Sequence, residues 1–502
     1  MVVALIIPRG RARYLKRVPL ADTEPSAPRA LRPDSGSVAL SEGAPEHPVA
    51  HAGAAPAPHK VAFSWVDEAS FSQTVLAPRD PGAARPASAE TDLLAKAPRR
   101  SPWRAGVLVP IAVILFLFGG YAATTLLWPL TAVTPTIAAV QVDPIPSAVT
   151  TPAWPAEGSG AVAVGGIGDV VASTEDAAPI ASITKLVTAL LVLDEMPLAV
   201  GEQGPDFRFT SGDRQAYWGY RNRGESSLDV PAGGSLTEYQ MLEGMLIGSA
   251  NNYADRLAST FWPSDAVFAS AADTWLKAHG VPGIRIAEPT GFDKRNTASA
   301  AALIPLAQKA LANPVIAEIV AKPVVDLPGA GRVENTNELL ADPGVIGVKT
   351  GSLDDFNLLA AKDVTVGDTA VRLYAAVLGQ PDDAARFATT RALFAQLESE
   401  LQVEPSVPVG TKVGTVETAW GDRADVVTDA DASVVLWNGA AGTVATDLAL
   451  GDSRGAGDTV GSLRVKGPLD SATVDVSLSN DIEPPSAWWR LTHPLELFGL
   501  AG

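Results

Sequence analysis

The chain has 502 residues with 38 Lys and Arg against 56 Asp and Glu, a formal charge of −18, five histidines and no cysteine. That length leaves room for two or three domains, while the missing cysteine excludes disulfides, thiolate metal sites and cysteine nucleophiles. The acidity argues against a nucleic-acid partner, which needs a basic footprint to neutralise phosphates.

Residues 1–104 carry 14 Lys and Arg against 10 Asp and Glu, leaving the remainder at −22. They are rich in Pro, Ala and Ser without a sustained period and read as a disordered tail, with MVVALIIPRGRARYLKR and HKVAFSWVDEASF as its two more apolar stretches. His47, His51 and His59 fall in this tail, so only His279 and His493 lie in segments that read as folded, and a Ser-His-Asp triad is poorly supplied. Residues 105–128, AGVLVPIAVILFLFGGYAATTLLW, contain no charge, and as a helix would span roughly 36 Å, enough to cross a bilayer. Arg99, Arg100 and Arg104 precede that run and no charge follows before Asp143, which predicts a cytoplasmic N-terminus and an extracellular remainder of a single-pass membrane protein. A cleaved leader of such length would be unusual.

Residues 129–155 read as a Pro-rich linker. The run AVAVGGIGDVVA at 161–172 predicts a strand entering a helix whose Ile183, Leu186, Val187, Leu190 and Leu191 fit an amphipathic pattern. Helices are predicted over 237–248, 252–261, 264–278 and 297–312, with His279 and Gly280 closing the third. GVIGVKT, NLLAAKD and AVRLYAAVLG predict antiparallel strands between 345 and 380, followed by a helix over 382–398. From 405 onward GTKVGTVETAW, ADVVTD, SVVLW, DTVGSLRVKG and ATVDVSLS keep a strand-and-turn rhythm, which marks 401–502 as an all-β module with a C-terminal tail and 156–400 as the main domain.

The chemistry-bearing residues sit in three short patterns, each present once: Ser182-x-x-Lys185 at a helix start, Ser249-Ala250-Asn251 between helices, and Lys349-Thr350-Gly351 at a strand end. Ser182 and Lys185 share a helix face one turn apart. Serine needs a base, and a lysine at its ordinary pKa is protonated, so burial, the positive helix end and the ammonium of Lys349 are expected to keep Lys185 neutral.

With PIASITKLVTA, LTEYQMLEGMLIGSANNYADRLA, EPTGF and ENTNELL, these patterns make residues 160–398 resemble the low-molecular-mass penicillin-binding proteins, the serine-type D-alanyl-D-alanine carboxypeptidases. The resemblance implies an α/β (α+β) fold, β-lactamase/transpeptidase-like, with an antiparallel sheet flanked by helices, an all-helical lobe and a small all-β C-terminal domain. It implies removal of the terminal D-alanine from peptidoglycan stem pentapeptides through an acyl-enzyme on Ser182, acylation by β-lactams, and no cofactor or metal. On that resemblance Lys185 is the general base and Ser249 a proton relay. Asn251, Lys349, Thr350, Gly351 and Ser352 bind substrate, with the backbone N–H groups of Ser182 and Ser352 as the oxyanion hole. The chain departs from the family in its Ser-Ala-Asn, where Ser-Gly-Asn is common, and in an N-terminal apolar run where relatives often carry a C-terminal amphipathic helix. A β-lactamase-like hydrolase would need a deacylating glutamate, for which Glu288 and Glu334 stand in unmatched contexts. A catalytically inactive wall-binding scaffold is the competitor from another class, against which the intact Ser182, Lys185, Ser249, Asn251 and Lys349 count.

Overall fold

The computed structural model describes residues 105–401 and 404–501, so the readings of the 1–104 tail lie outside the described residues. Helix α1 (Ala105–Leu127) is long and apolar enough to cross a membrane, and among the described residues none covers its most apolar stretch. Strand β1 (Thr136–Ala139) follows. The main domain then begins with the hairpin β2 (Ser159–Val164) and β3 (Ile167–Ala172). Seven helices come next: α2 (Thr184–Glu195), α3 (Ser211–Asn222), α4 (Glu238–Leu246), α5 (Asn251–Ala258), α6 (Asp265–Ala278), α7 (Ala300–Ala312) and α8 (Pro314–Val320). Strands β4 (Val345–Ser352), β5 (Phe356–Val366) and β6 (Thr369–Gln380) and helix α9 (Asp383–Glu400) complete that domain.

These strands form one antiparallel sheet in the order β4-β5-β6-β2-β3. Strand β2, the first half of β5 and most of β6 are buried on both faces and read as near-continuous apolar runs, whereas the edge strand β3 is partly exposed. Ala161, Ala163, Leu359 and Ala361 pack into the helical lobe. Val162, Val164, Leu358 and Ala360 pack under Phe387, Phe394 and Leu397 of α9. The expected single strand at 161–172 is thus a hairpin, turned at Gly165 and Gly166.

Helix α2 carries an amphipathic pattern in sequence, yet Thr184 through Leu193 are all buried, since it runs through the middle of the helical lobe. Conversely α3 was not expected from periodicity. It has no buried residue and is started by a capping box in which Thr210 and Asp213 satisfy each other's backbone N–H.

Beyond α9 lie β7 (Lys412–Glu417), β8 (Arg423–Thr428), β9 (Thr443–Leu448), β10 (Thr459–Lys466) and β11 (Ser471–Leu478), then the short helices α10 (Ala487–Thr492) and α11 (Pro494–Leu497). The sheet order is β1-β7-β8-β11-β10-β9, which corrects the reading of 129–155 as a mere linker: β1 pairs antiparallel along β7, Ile145 N–H donates to Ser406 O at 2.8 Å and Ser147 N–H to Ala440 O at 2.9 Å. SVVLW makes no strand. Val435 and Trp437 instead pack into the cluster beneath α9, with Trp437 Nε1 donating to Glu400 at 3.1 Å, and this joins the β module to the main domain. The C-terminal tail folds back on the end of α1: Tyr121 donates its hydroxyl to Leu491 O at 2.6 Å, Arg490 donates to Trp128 O at 2.8 Å, and Trp128 packs edge-on against Phe498.

Candidate active site

Ser182 stands in the 3-10 turn, Ala181–Ile183, that opens α2. The turn is tight. Ala181 has φ of +50°, a conformation that costs an ordinary residue about 1–2 kcal/mol and that surrounding contacts must hold. Two glycines allow those contacts. A Cβ on Gly291 (φ +87°) would fall 1.9 Å from Ala181 O, and one on Gly351 would fall 2.7 Å from Ile180 O. The EPTGF turn and the end of β4 therefore close on the serine from two sides. Ser182, Asn251, Gly291 and Ser352 line a cleft of about 310 Å³ whose outer rim carries the exposed ion pair of Lys294 and Asp354.

Lys185, one turn along, is fully buried and its Nζ has three partners: Ser182 Oγ at 2.9 Å, Asn251 Oδ1 at 2.7 Å and Thr290 O at 2.6 Å. Burial pulls its pKa from 10.5 down to about 7, against the carboxylates of Glu288, Asp255 and Glu225, which favour its charged form. The expected push from a Lys349 ammonium is not among the causes: burial alone lowers the Lys185 pKa. Burial, with the Lys185 and Arg386 cations near it, holds Lys349 far below the usual lysine range. Lys349 Nζ donates to Thr350 O at 3.0 Å, and Thr350 Oγ1 lies 2.5 Å from Thr336 Oγ1 of the ENTNELL segment.

The structure thus joins Ser182, Lys185 and Asn251 in one hydrogen-bonded group and places Ser352 on the same cleft, while Lys349 and Thr350 lie buried behind the strand end. Ser249 is also buried and takes the left-handed conformation, φ +57°; Ala250 does not, at φ −68°, so the Ser-Ala-Asn variant costs no strain at its middle residue.

Three residues lacked a sequence signal. Glu225, in RNRGES, accepts from Asn251 Nδ2 at 2.8 Å. Thr290 presents its carbonyl to Lys185. Arg386 on α9 braces the end of β4, its Nη1 donating to Gly351 O at 3.1 Å and Ser352 Oγ at 3.0 Å. Glu225 and Arg386 belong to no short motif, and only the general expectation that buried charges have partners could have singled them out; Thr290 lies in EPTGF, where nothing in the sequence marks its carbonyl as the partner of Lys185.

Glu288, a candidate for a deacylating carboxylate, is instead the centre of the EPTGF turn. It accepts from the backbone N–H groups of Thr290 (2.6 Å), Gly291 (2.7 Å) and Asp293 (3.2 Å) and from Asn296 Nδ2 (2.6 Å), which leaves it poorly placed to activate water. His279 caps α6, its ring stacked on Trp275, as its position suggested. Among the described residues no group of three or more His, Cys, Asp or Glu is gathered as a metal site.

A family profile described as D-alanyl-D-alanine carboxypeptidase matches residues 167–381. The D-alanyl-D-alanine carboxypeptidase DacB2 of Mycobacterium tuberculosis is 31% identical over 212 residues, which cover 40% of this chain and 67% of the relative. The D-alanyl-D-alanine endopeptidase of Pseudomonas aeruginosa is 31% identical over 129 residues, 24% of this chain and 36% of the relative. Among solved structures, the crystal structure of D-alanyl-D-alanine carboxypeptidase from Mycobacterium tuberculosis H37Rv superimposes with a TM-score of 0.42 at 25% identity, covering 52% of this chain and 97% of that one.

Proposed function

This chain belongs to the family of serine-type D-alanyl-D-alanine carboxypeptidases, and from that premise we propose that it removes the terminal D-alanine from peptidoglycan stem pentapeptides through an acyl-enzyme on Ser182. The observation that carries the reading is the buried Lys185 amine, 2.9 Å from Ser182 Oγ and poised near neutral pH. Lys185 takes the hydroxyl proton as Ser182 Oγ attacks the penultimate D-alanine carbonyl. The N–H groups of Ser182 and Ser352 stabilise the oxyanion, the first aided by the positive end of α2. The tetrahedral adduct collapses by breaking the peptide bond. Ser249, which can donate and accept, passes the proton from Lys185 to the leaving amine. Water then attacks the ester with Lys185 again as base, releasing the shortened peptide and restoring Ser182. Asn251 and Gly351 shape the bed for the peptide backbone. Lys349 and Thr350 receive the terminal carboxylate, whose arrival stabilises the ammonium form of Lys349 that burial otherwise disfavours. A β-lactam carbonyl in the same place would be acylated likewise.

Helix α1 serves in this reading as the membrane anchor, with Arg99, Arg100 and Arg104 on the cytoplasmic side, residues 1–104 as a cytoplasmic tail and the catalytic domain outside. Two measurements test the proposal. The purified protein is incubated with a pentapeptide ending in D-Ala-D-Ala and free D-alanine is followed. A fluorescent penicillin is expected to label the wild type and not Ser182→Ala. Labelling of both at one rate removes Ser182 as the nucleophile, and digestion of the tail but not of residues beyond 150 by protease added to intact protoplasts reverses the topology.

A further inference from the structure

An asparagine side chain can face its neighbours either way round, and at Asn251 the choice decides where the Lys185 lone pair points. A neutral amine has two N–H groups. Thr290 O and Asn251 Oδ1 can only accept, so they take both, and the lone pair is left for the Ser182 hydroxyl. Were the Asn251 amide reversed, its Nδ2 would donate into that lone pair and the serine proton would have no base. Glu225 sets the orientation. A carboxylate without a proton cannot donate, so the group that faces Glu225 Oε2 at 2.8 Å has to be the amide nitrogen. The other carboxylate oxygen accepts from Arg223 Nε at 2.6 Å, and the Glu225 side chain is almost entirely buried.

We propose that Glu225 is a positioning residue: by fixing the Asn251 amide with its oxygen toward Lys185, it reserves the lysine lone pair for Ser182. The inference rests on reading Ser182 and Lys185 as nucleophile and base. It makes Glu225 act through Asn251, without touching substrate. The charged and titratable groups around Lys185 come from four elements: Glu225 after α3, Asp255 on α5 with the Tyr220 hydroxyl at 2.6 Å, Glu288 before α7, and Lys349 on β4. Of these, Glu225 alone is bonded to the amide that Lys185 touches.

The test measures the second-order rate of acylation by a fluorescent penicillin between pH 5 and 9, using the full-length chain in detergent. Glutamine can present either end to Asn251, so Glu225→Gln is expected to lower the plateau by about 10- to 100-fold, a part of the usual general-base contribution. It also removes one of the carboxylates that favour charge on Lys185, so the acid limb moves to lower pH. In an Asn251→Ala background the same change is expected to cost less than about two-fold, because the residue it acts through is gone. Glu225→Asp keeps an acceptor-only group and is expected to hold the acid limb in place. A Glu225→Gln plateau within two-fold of wild type, a limb that stays put with Gln or moves as far with Asp, or a full loss that persists in Asn251→Ala overturns the inference. If Glu225→Gln does not fold, the Glu225→Asp limb decides. An unlabelled wild type defeats the reading of Ser182 itself; a labelled wild type matched by Glu225→Gln defeats the role of Glu225 alone.

Discussion

Keeping Lys185 neutral has a thermodynamic cost that can be read as a pH dependence of folding. In the unfolded chain the amine titrates near 10.5, in the fold near 7. Between those values the unfolded state holds a proton that the native state has lost, so the free energy of unfolding rises with pH across the window, by 1.36 kcal/mol per pH unit for a single group. The window is 10.5 − 7 = 3.5 pH units wide, which sets an upper figure of about 5 kcal/mol for the stability that Lys185 withholds at neutral pH and returns in alkali. Lys185→Met removes the titration. It also strands the acceptors on Asn251 and Thr290, but that loss does not change with pH. The stability difference between wild type and Lys185→Met is therefore expected to move in favour of the wild type from pH 7 to pH 10, with a slope approaching one proton. Urea unfolding of both proteins at half-unit steps measures it. Two parallel curves would mean that Lys185 keeps an ordinary pKa in the fold, and the neutral-base reasoning would be wrong.

Three further outcomes are expected. Lys185→Arg keeps a cation but no usable lone pair, so penicillin acylation is expected to fall by roughly 100- to 10,000-fold, whereas Lys349→Arg is expected to express its damage mainly in KM for the pentapeptide; equal kcat losses in the two would remove the distinction between them. Gly291→Ala places a methyl group into Ala181 O at a positive φ and is expected to destabilise the protein by about 2–3 kcal/mol and to slow acylation, as seen in thermal melts and labelling rates. Glu238, buried with neither carboxylate oxygen hydrogen-bonded, is pushed up to about 7 by burial, so its contribution holds at low pH and is lost as pH rises from 4.5 through 7; Glu238→Gln is expected to abolish that loss, and melting curves at pH 5 and 8 that shift identically in both proteins would contradict it.

What could be read in advance was what depends on neighbours in sequence. Ser182 and Lys185 are one helical turn apart, Ser249 and Asn251 flank a single residue, and Lys349 to Ser352 end one strand, so each pattern survives translation into three dimensions. Strands β4 to β6 were legible because each holds a short, mostly buried apolar stretch (VIGV, LLAA and LYAAVL) set off by turn residues. Long-range partners were not. Glu225 meets Asn251 across 26 residues and Thr290 meets Lys185 across 105, through backbone paths that carry no periodic signal. Helix α3 escaped because it buries no residue, and β1 because four residues, TIAA, in a Pro-rich stretch gain their strand conformation only from β7. Lys349 is a different case: its type suggests a ready cation, whereas its burial beside Lys185 and Arg386, which disfavours that charge, is visible only in the fold.

The stitching of residues 129–155 onto the β module changes how far the enzyme can travel. As a free strand this segment would let the cleft roam roughly 90 Å from the end of α1, at about 3.3 Å per residue. Pinned through β1, Ile145, Ser147 and the Ala153 N–H that donates to Gln396 at 2.7 Å, and clasped at its origin by Leu491, Arg490 and Phe498, it is no tether. On the proposed topology the cleft works at one fixed height above the bilayer. If the proposed function and topology hold, the enzyme would trim only the layer of wall that lies at that height and would reach new substrate by drifting sideways with its anchor through the membrane plane.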